Sequence, residues 1–189
     1  MLKDLVIENR SFRRFVQSAP VNRKTLMELL ETARFAPTGS NRQPLRFILS
    51  NEPEKNAKIF STLAWARLIK GWGGPVEGER PSAYIVIVGD KQVVANSGVD
   101  AGIAAHTILL GAAEKALGGC MLANIKKDEL RKSLALPERY EILLVCAIGK
   151  PKEKVVLDTV NTDGDTAYWR EDNGTHHVPK WKLEDLILE

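Results

Sequence analysis

Three stretches of the chain carry side chains whose types and spacing could bind or tune a ligand. Arg10-Ser11-Phe12-Arg13-Arg14 sets three guanidinium groups and a hydroxyl within five residues. Guanidinium forks bond phosphate bidentately and stay charged, so a phosphate suits this stretch; a solvated basic surface is the plain alternative. Pro37-Thr38-Gly39-Ser40-Asn41-Arg42-Gln43-Pro44 joins turn backbone to the side-chain amides of Asn41 and Gln43. An amide offers donor and acceptor together, as the uracil-like edge of a flavin or a nucleobase requires, although a connecting turn would also read this way. Lys180-Trp181-Lys182 places two ammonium groups at i and i+2. An extended segment points both to one side, where they can close over an anion or simply form a basic tail.

Other chemistries lack their residues. His176 and His177 are adjacent, so extended geometry points them apart, and no third ligand stands at a zinc-like spacing. They are expected to be surface-loop histidines. No Gly-x-Gly-x-x-Gly follows a strand, which argues against a Rossmann site, and Gly71-Trp72-Gly73-Gly74 lacks the Lys-Ser/Thr of a phosphate loop. Asn173-Gly174-Thr175 is a formal glycosylation acceptor with no accompanying sign of secretion. Cys120 and Cys146 lie in apolar runs and read as two buried thiols in a reducing compartment, not as a disulfide.

The formal charge of +3 suits a small acidic molecule bound locally, not an extended nucleic-acid surface. Met1 to Glu8 alternates charged and apolar residues without a signal peptide's apolar run. Ala101 to Ala113 is apolar but too short to span a bilayer. A cytoplasmic protein without membrane or nucleic-acid partners is therefore expected.

The elements that must hold these stretches follow from periodicity. Hydrophobic residues at 44% and charged residues at 27% are ordinary for a globular chain, and 189 residues fit one domain over 1–189. Asn22 is placed as an N-cap, with Val21 and Leu26 as a hydrophobic staple. Leu26, Leu29, Leu30 and Ala33 repeat at helical spacing, which predicts a helix over 23–35. Strands are predicted at Leu45 to Leu49, Ala83 to Val88 and Ile142 to Ile148, and helices at 53–70 and Lys126 to Leu134. Ser97 with Asp100 resembles a capping box opening a long helix to Leu117, stopped by Gly118-Gly119. That helix has apolar or small residues on nearly every face and needs cover on all sides. A second copy of the chain is one source of that cover; a central position in a monomer is the other. Residues 151–182 read as polar loop, and Leu183, Leu186 and Ile187 restore an apolar pattern. The order α-α-β-α-β-α-α-β gives an α+β fold, with helices flanking a mainly antiparallel sheet.

In order along the chain, these segments resemble the nitroreductase family. Arg10-Ser11-Phe12-Arg13 looks like its opening flavin motif, and Ala33-Arg34-Phe35-Ala36-Pro37-Thr38-Gly39-Ser40-Asn41-Arg42-Gln43-Pro44 is similar to its Ala-Arg-x-Ala-Pro-Ser-x-x-Asn-x-Gln-Pro signature. Asp100-Ala101-Gly102-Ile103-Ala104-Ala105, then Ala116-Leu117-Gly118-Gly119-Cys120, look like its central helix and the turn after it. Leu136-Pro137-Glu138-Arg139-Tyr140 and Ile148-Gly149-Lys150-Pro151 match its late pattern, and Lys180 and Lys182 stand where it places C-terminal basic residues.

The resemblance implies a homodimer with FMN at its interface. Arg10 and Ser11 would hold the phosphate with Lys180 and Lys182, and Arg13 would lie near the flavin N1–O2 edge. Pro37, Thr38, Gly39, Asn41 and Gln43 would flank the flavin, the loop being offered by the partner subunit. Met121, Leu122 and Ala123 would put backbone beside the ring. NADH or NADPH would reduce the flavin, which would pass electrons to a nitroaromatic, a quinone or another metabolite in a ping-pong cycle. A flavin oxidase or dehalogenase of the same fold, or a flavin-binding sensor or storage module, is the alternative. Asn9 and Ala123-Asn124 depart from the pattern, residues 60–80 match nothing in it, and Arg14 competes with Arg13 for the flavin-facing position.

Overall fold

The computed structural model describes residues 1–161 and 163–188. In chain order its elements are α1 (Leu2–Glu8), α2 (Arg23–Ala33), β1 (Leu45–Ser50), α3 (Pro53–Phe60), β2 (Ala83–Asp90), α4 (Gly98–Glu114), β3 (Gly118–Leu122), α5 (Lys127–Ser133), β4 (Tyr140–Gly149), β5 (Val155–Thr159), β6 (Trp169–Arg170) and β7 (His176–Lys180). The fold is α+β. Strands β1-β2-β4-β3 form an antiparallel sheet in that order, and β5-β7-β6 form a second sheet in which β5 and β7 run parallel.

The four-stranded sheet is buried on both faces. All eight residues of β2 are buried. Ile85 and Ile87 face one apolar cluster with Leu26, Leu29, Ala105 and Ile108, while Tyr84, Val86 and Val88 face another with Ile59, Leu122 and Leu130. This alternation follows from successive strand side chains pointing to opposite faces. Helices α2 and α4 cover the first face, and α3 and α5 flank the second.

Several predicted boundaries move, each for a local reason. Asn22 caps α2 as expected, its Oδ1 accepting from the Thr25 N–H at 2.8 Å. The helix predicted over 53–70 stops at Phe60. There the Ser61 and Thr62 hydroxyls take the carbonyls of Lys58 and Ile59, at 2.9 and 2.7 Å, diverting the last turn. Ser97 makes no side-chain cap, and the Asp100 carboxylate, the other half of the expected box, accepts the Gly39 N–H at 3.0 Å.

Helix α4 ends at Glu114, with Ala116 in the left-handed region (φ 54°), so Gly118-Gly119 is not its stop. Those glycines open β3, a strand the sequence pattern does not reveal. A Cβ on Gly119 would sit 2.5 Å from the Ala147 carbonyl oxygen and 2.5 Å from Leu109 Cδ2, so glycine here permits a close backbone approach. The stretch 151–182 is likewise not loop throughout, since it holds β5, β6 and β7.

Candidate functional site

The N-terminal arginine stretch runs along the edge of the four-stranded sheet. Phe12 donates its N–H to the Gly119 carbonyl (2.9 Å), and Ser11 bridges Gly119 in parallel fashion. Phe15, fully buried, bridges Pro151 and anchors the following residues. The stretch is also pinned from the C-terminal side. Glu153 accepts the backbone N–H groups of Arg13 and Arg14 through one carboxylate oxygen and binds Arg170 through the other at 2.7 Å.

These constraints open a cleft of about 400 Å³, lined by Arg10, Ser11, Arg13, His106, Leu109, Met121, Tyr168, His176, Val178 and Lys180. The volume lies within the usual range for a small-molecule site. His176, Val178 and Lys180 reach it together because they occupy alternate positions of β7.

The three arginines have different fates. Arg14 forks onto Glu79, with Nε and Nη2 bonding the two carboxylate oxygens at 2.5 and 2.6 Å. Together with Lys152 (2.9 Å) it lowers the Glu79 pKa to about 2. Arg13 instead lines the cleft, stacked 4.8 Å from the Tyr168 ring centre, whereas Arg14 is taken up by Glu79 outside it. Arg10 is half-buried; it donates one bond to the Val6 carbonyl at 2.5 Å, and its Nε is buried without a partner among the described residues. Burial pushes its pKa down. A partly desolvated guanidinium with spare donors is a ready place for an anion.

The amide loop is elsewhere. Pro37, Thr38, Asn41 and Gln43 line a hollow of about 380 Å³ with Phe35, Asp100 and Ala104. Ser40, Asn41 and Gln43 all have positive φ (51°, 53° and 50°), a conformation disfavoured for residues with a Cβ. Thr38 Oγ1 accepts the Gln43 N–H (3.1 Å), and with the Gly39–Asp100 bond it holds the loop against α4.

The two hollows share no lining residue. Asp100 touches the amide loop, whereas His106 and Leu109 of the same helix line the arginine cleft, six and nine residues further on. At 1.5 Å rise per residue that is about 9–14 Å along one helix axis.

Backbone at Met121, Leu122 and Ala123 lies between two isolated bridges, Gly119–Ser11 on the edge strand and Ile125–Leu63 beyond its end. Met121 lines the cleft while Leu122 is buried in the core. Lys180 joins the cleft, but β7 ends there, and Lys182 lies past the strand, outside the lining of its own chain's cleft.

His176 and His177 are not surface-loop residues. His176 is fully buried beside Arg13, and His177 points the other way, stacked on Trp169 (4.8 Å between centres) with Nδ1 2.9 Å from Asp158. They point apart, as adjacent strand residues must. Sequence patterning also missed His106 and Tyr168 as cleft residues. His106, next to Thr107, interrupts the apolar run of α4 in the sequence, whereas Tyr168 carries no signal.

Both cysteines are buried free thiols, with burial raising the pKa of Cys120 and pushing that of Cys146 up to about 12. Among the described residues no group of His, Cys, Asp and Glu could hold a metal, and no helix is long and apolar enough to cross a membrane.

Comparison with known proteins assigns this architecture. A family model described as "Nitroreductase family" matches residues 6–77 and 80–150, stopping where the C-terminal sheet begins. The iodotyrosine deiodinase of Thermotoga neapolitana is 25% identical over 170 residues, covering 81% of this chain and 90% of that protein. Among solved structures, an FMN-dependent nitroreductase from Clostridium difficile R20291 aligns with a TM-score of 0.65 at 26% identity, over 79% of this chain and 87% of the other. A nitroreductase family protein from Clostridium difficile 630 also gives 0.65, at 25% identity over 79% and 83% of the two chains.

Proposed function

Since the chain belongs to the nitroreductase family and is an oxidoreductase, we propose that it binds FMN between the subunits of a homodimer and uses NAD(P)H to reduce a small organic acceptor. The observation that carries this is the separation of the arginine cleft from the amide loop along α4. One chain offers a phosphate-type site and an amide-type site at different places on its surface. A two-fold partner can set the loop of one copy against the cleft of the other, which makes the interface isologous. The uncovered stripe of α4 supports such a contact: Val99 is 79% exposed, and Gly102, Ile103 and Leu110 are only half-buried. Helix α1 buries no residue and exposes Leu2 and Ile7.

The residues fit the cofactor. Arg10 and Ser11, with Lys180 and Lys182, would hold the phosphate, and the spare Arg10 Nε supplies a donor for it. Arg13 would face the pyrimidine edge of the ring, with the backbone of Met121, Leu122 and Ala123 beside it. Pro37, Thr38, Gly39, Asn41 and Gln43 of the second subunit would close the site. When bound, FMN supplies the hydride and electron chemistry, so the protein contributes position and charge and no side-chain acid or base is needed. The similarity to an iodotyrosine deiodinase favours a second reading of the acceptor, a halogenated aromatic reduced with loss of halide.

The test is incubation of the purified protein with FMN, then anaerobic mixing with NADH and NADPH. Rapid bleaching of the bound flavin, followed by reoxidation with nitroaromatic, quinone or iodophenol, supports the reductase and identifies the acceptor class. Flavin that stays oxidised supports a non-turnover binding module, and a protein that takes up no FMN overturns the proposal.

A further inference from the structure

Arg13 is held by neutral groups alone. Its Nη1 donates to the Ser11 carbonyl at 3.1 Å and lies 3.2 Å from His176 Nε2, and its guanidinium stacks on Tyr168. The neighbouring cations are compensated, Arg14 by Glu79 and Arg170 by Glu153. Glu153 is bonded to Arg13, yet it takes that residue's backbone N–H and gives its other oxygen to Arg170. Among the described residues no carboxylate pairs with the Arg13 side chain.

His176 has no exposed surface, and the groups facing it are Arg13, Arg170, His177 and the Tyr168 ring, whose centre lies 5.2 Å away. Burial, then the charges of Arg13 and Arg170, push its pKa down to about 4, so the ring is neutral at neutral pH. A guanidinium has no lone pair to offer, so in the Arg13–His176 contact Nε2 must accept. The ring proton then sits on Nδ1, a buried donor without a partner among the described residues.

We propose that His176 is a positioning residue for Arg13: as a neutral acceptor it aims the guanidinium into the cleft without cancelling its charge. A carboxylate at 176 would align Arg13 equally well but would neutralise the field that favours an anionic, reduced flavin over the oxidised ring. This rests on the FMN reading above.

A redox titration of FMN-loaded parent, Arg13→Gln, His176→Leu, His176→Gln and the Arg13→Gln/His176→Leu double variant tests it. Arg13→Gln should reduce the preference for reduced over oxidised FMN about tenfold, roughly 30 mV downward for a two-electron couple. His176→Leu should move part of the way in the same direction and add nothing in the Arg13→Gln background. His176→Gln, which keeps a neutral acceptor, should stay close to the parent. An equal His176→Leu shift in both backgrounds, or no shift beside a shifted Arg13→Gln, overturns the positioning role and leaves the FMN reading intact. An unshifted Arg13→Gln removes the flavin-edge role and this inference with it. A readout independent of flavin and of variants is the ¹⁵N resonance pattern of His176 in the parent protein: a neutral ring protonated on Nδ1 is expected, and a charged ring or an Nε2 proton overturns the proposal.

Discussion

The two sheets of this protein are held together by different physics. In the four-stranded sheet, β2 is buried along its whole length, and the packing is apolar on both faces. In the β5-β7-β6 sheet the ties are an Arg170–Glu153 ion pair, a His177–Trp169 stack and a buried histidine against Arg13. The first sheet gains from area removed from water, is non-directional and tolerates volume-conserving change. The second depends on paired charges, where loss of one partner leaves the other buried and uncompensated. The polar sheet is the one that walls the arginine cleft, through His176, Val178 and Lys180. A scaffold of one kind carries a site wall of the other.

Glu153→Leu should show the contrast most strongly. It strands Arg170 and removes the acceptor of two backbone N–H groups, so a loss of about 3–5 kcal/mol in denaturant unfolding is expected. A loss under about 1 kcal/mol would mean the C-terminal sheet is not tied to the arginine stretch in this way.

Arg10→Ala should leave folding nearly untouched and weaken FMN binding by about 1.5–3 kcal/mol, the range for a hydrogen bond to a charged group. Riboflavin, which lacks the phosphate, should bind parent and variant alike in the same titration. Equal FMN affinity would make Arg10 a plain surface charge.

Ile85→Val provides the matched measure for the apolar sheet. Ile85 is fully buried in β2, and removing one methylene should cost about 0.5–1.5 kcal/mol in the same denaturant assay. A cost rivalling that of Glu153→Leu would erase the distinction between the sheets.

The last expected effect concerns acid. Glu79 has its pKa lowered to about 2 from 4.5, chiefly by the Arg14 hydrogen bonds. A depressed folded-state value contributes stability that is full above the unfolded pKa of 4.5 and lost as pH falls through about 2. The stability gap between parent and Glu79→Gln should therefore be constant near neutrality and close between those values. A gap that persists at pH 2 would assign the stabilisation to packing instead of charge.

The same division explains what could be read from the chain. Helix α2, β1, β2 and β4 were legible because Leu26, Leu29 and Ala33 keep helical spacing and Ile85 to Val88 form a continuous apolar run. Strand β3 was hidden because Gly118 and Gly119 mimic a helix stop, and their strand role depends on contact with Ala147 and Leu109, distant in sequence. The C-terminal sheet was hidden because its strands are short and its ties are ionic and aromatic, which leave no period in hydropathy. Arg10, Arg13 and the Asn41 loop were picked out as chemistry, but Tyr168 and His176 were not. They reach Arg13 only through a fold-back of roughly 150 residues, which local spacing does not encode.

The central claim, that one flavin site is built from the cleft of one subunit and the amide loop of the other, is tested most directly by complementation. Arg10→Glu damages the cleft and Asn41→Leu the loop, so each homodimer should bind FMN weakly at both sites. Differently tagged chains allow the mixed dimer to be isolated. If the sites are shared, one site collects both lesions and the other collects neither, so the mixed dimer should bind one FMN with parental affinity. A mixed dimer with no tight site would contradict the account, because each chain would then be using its own cleft and its own loop.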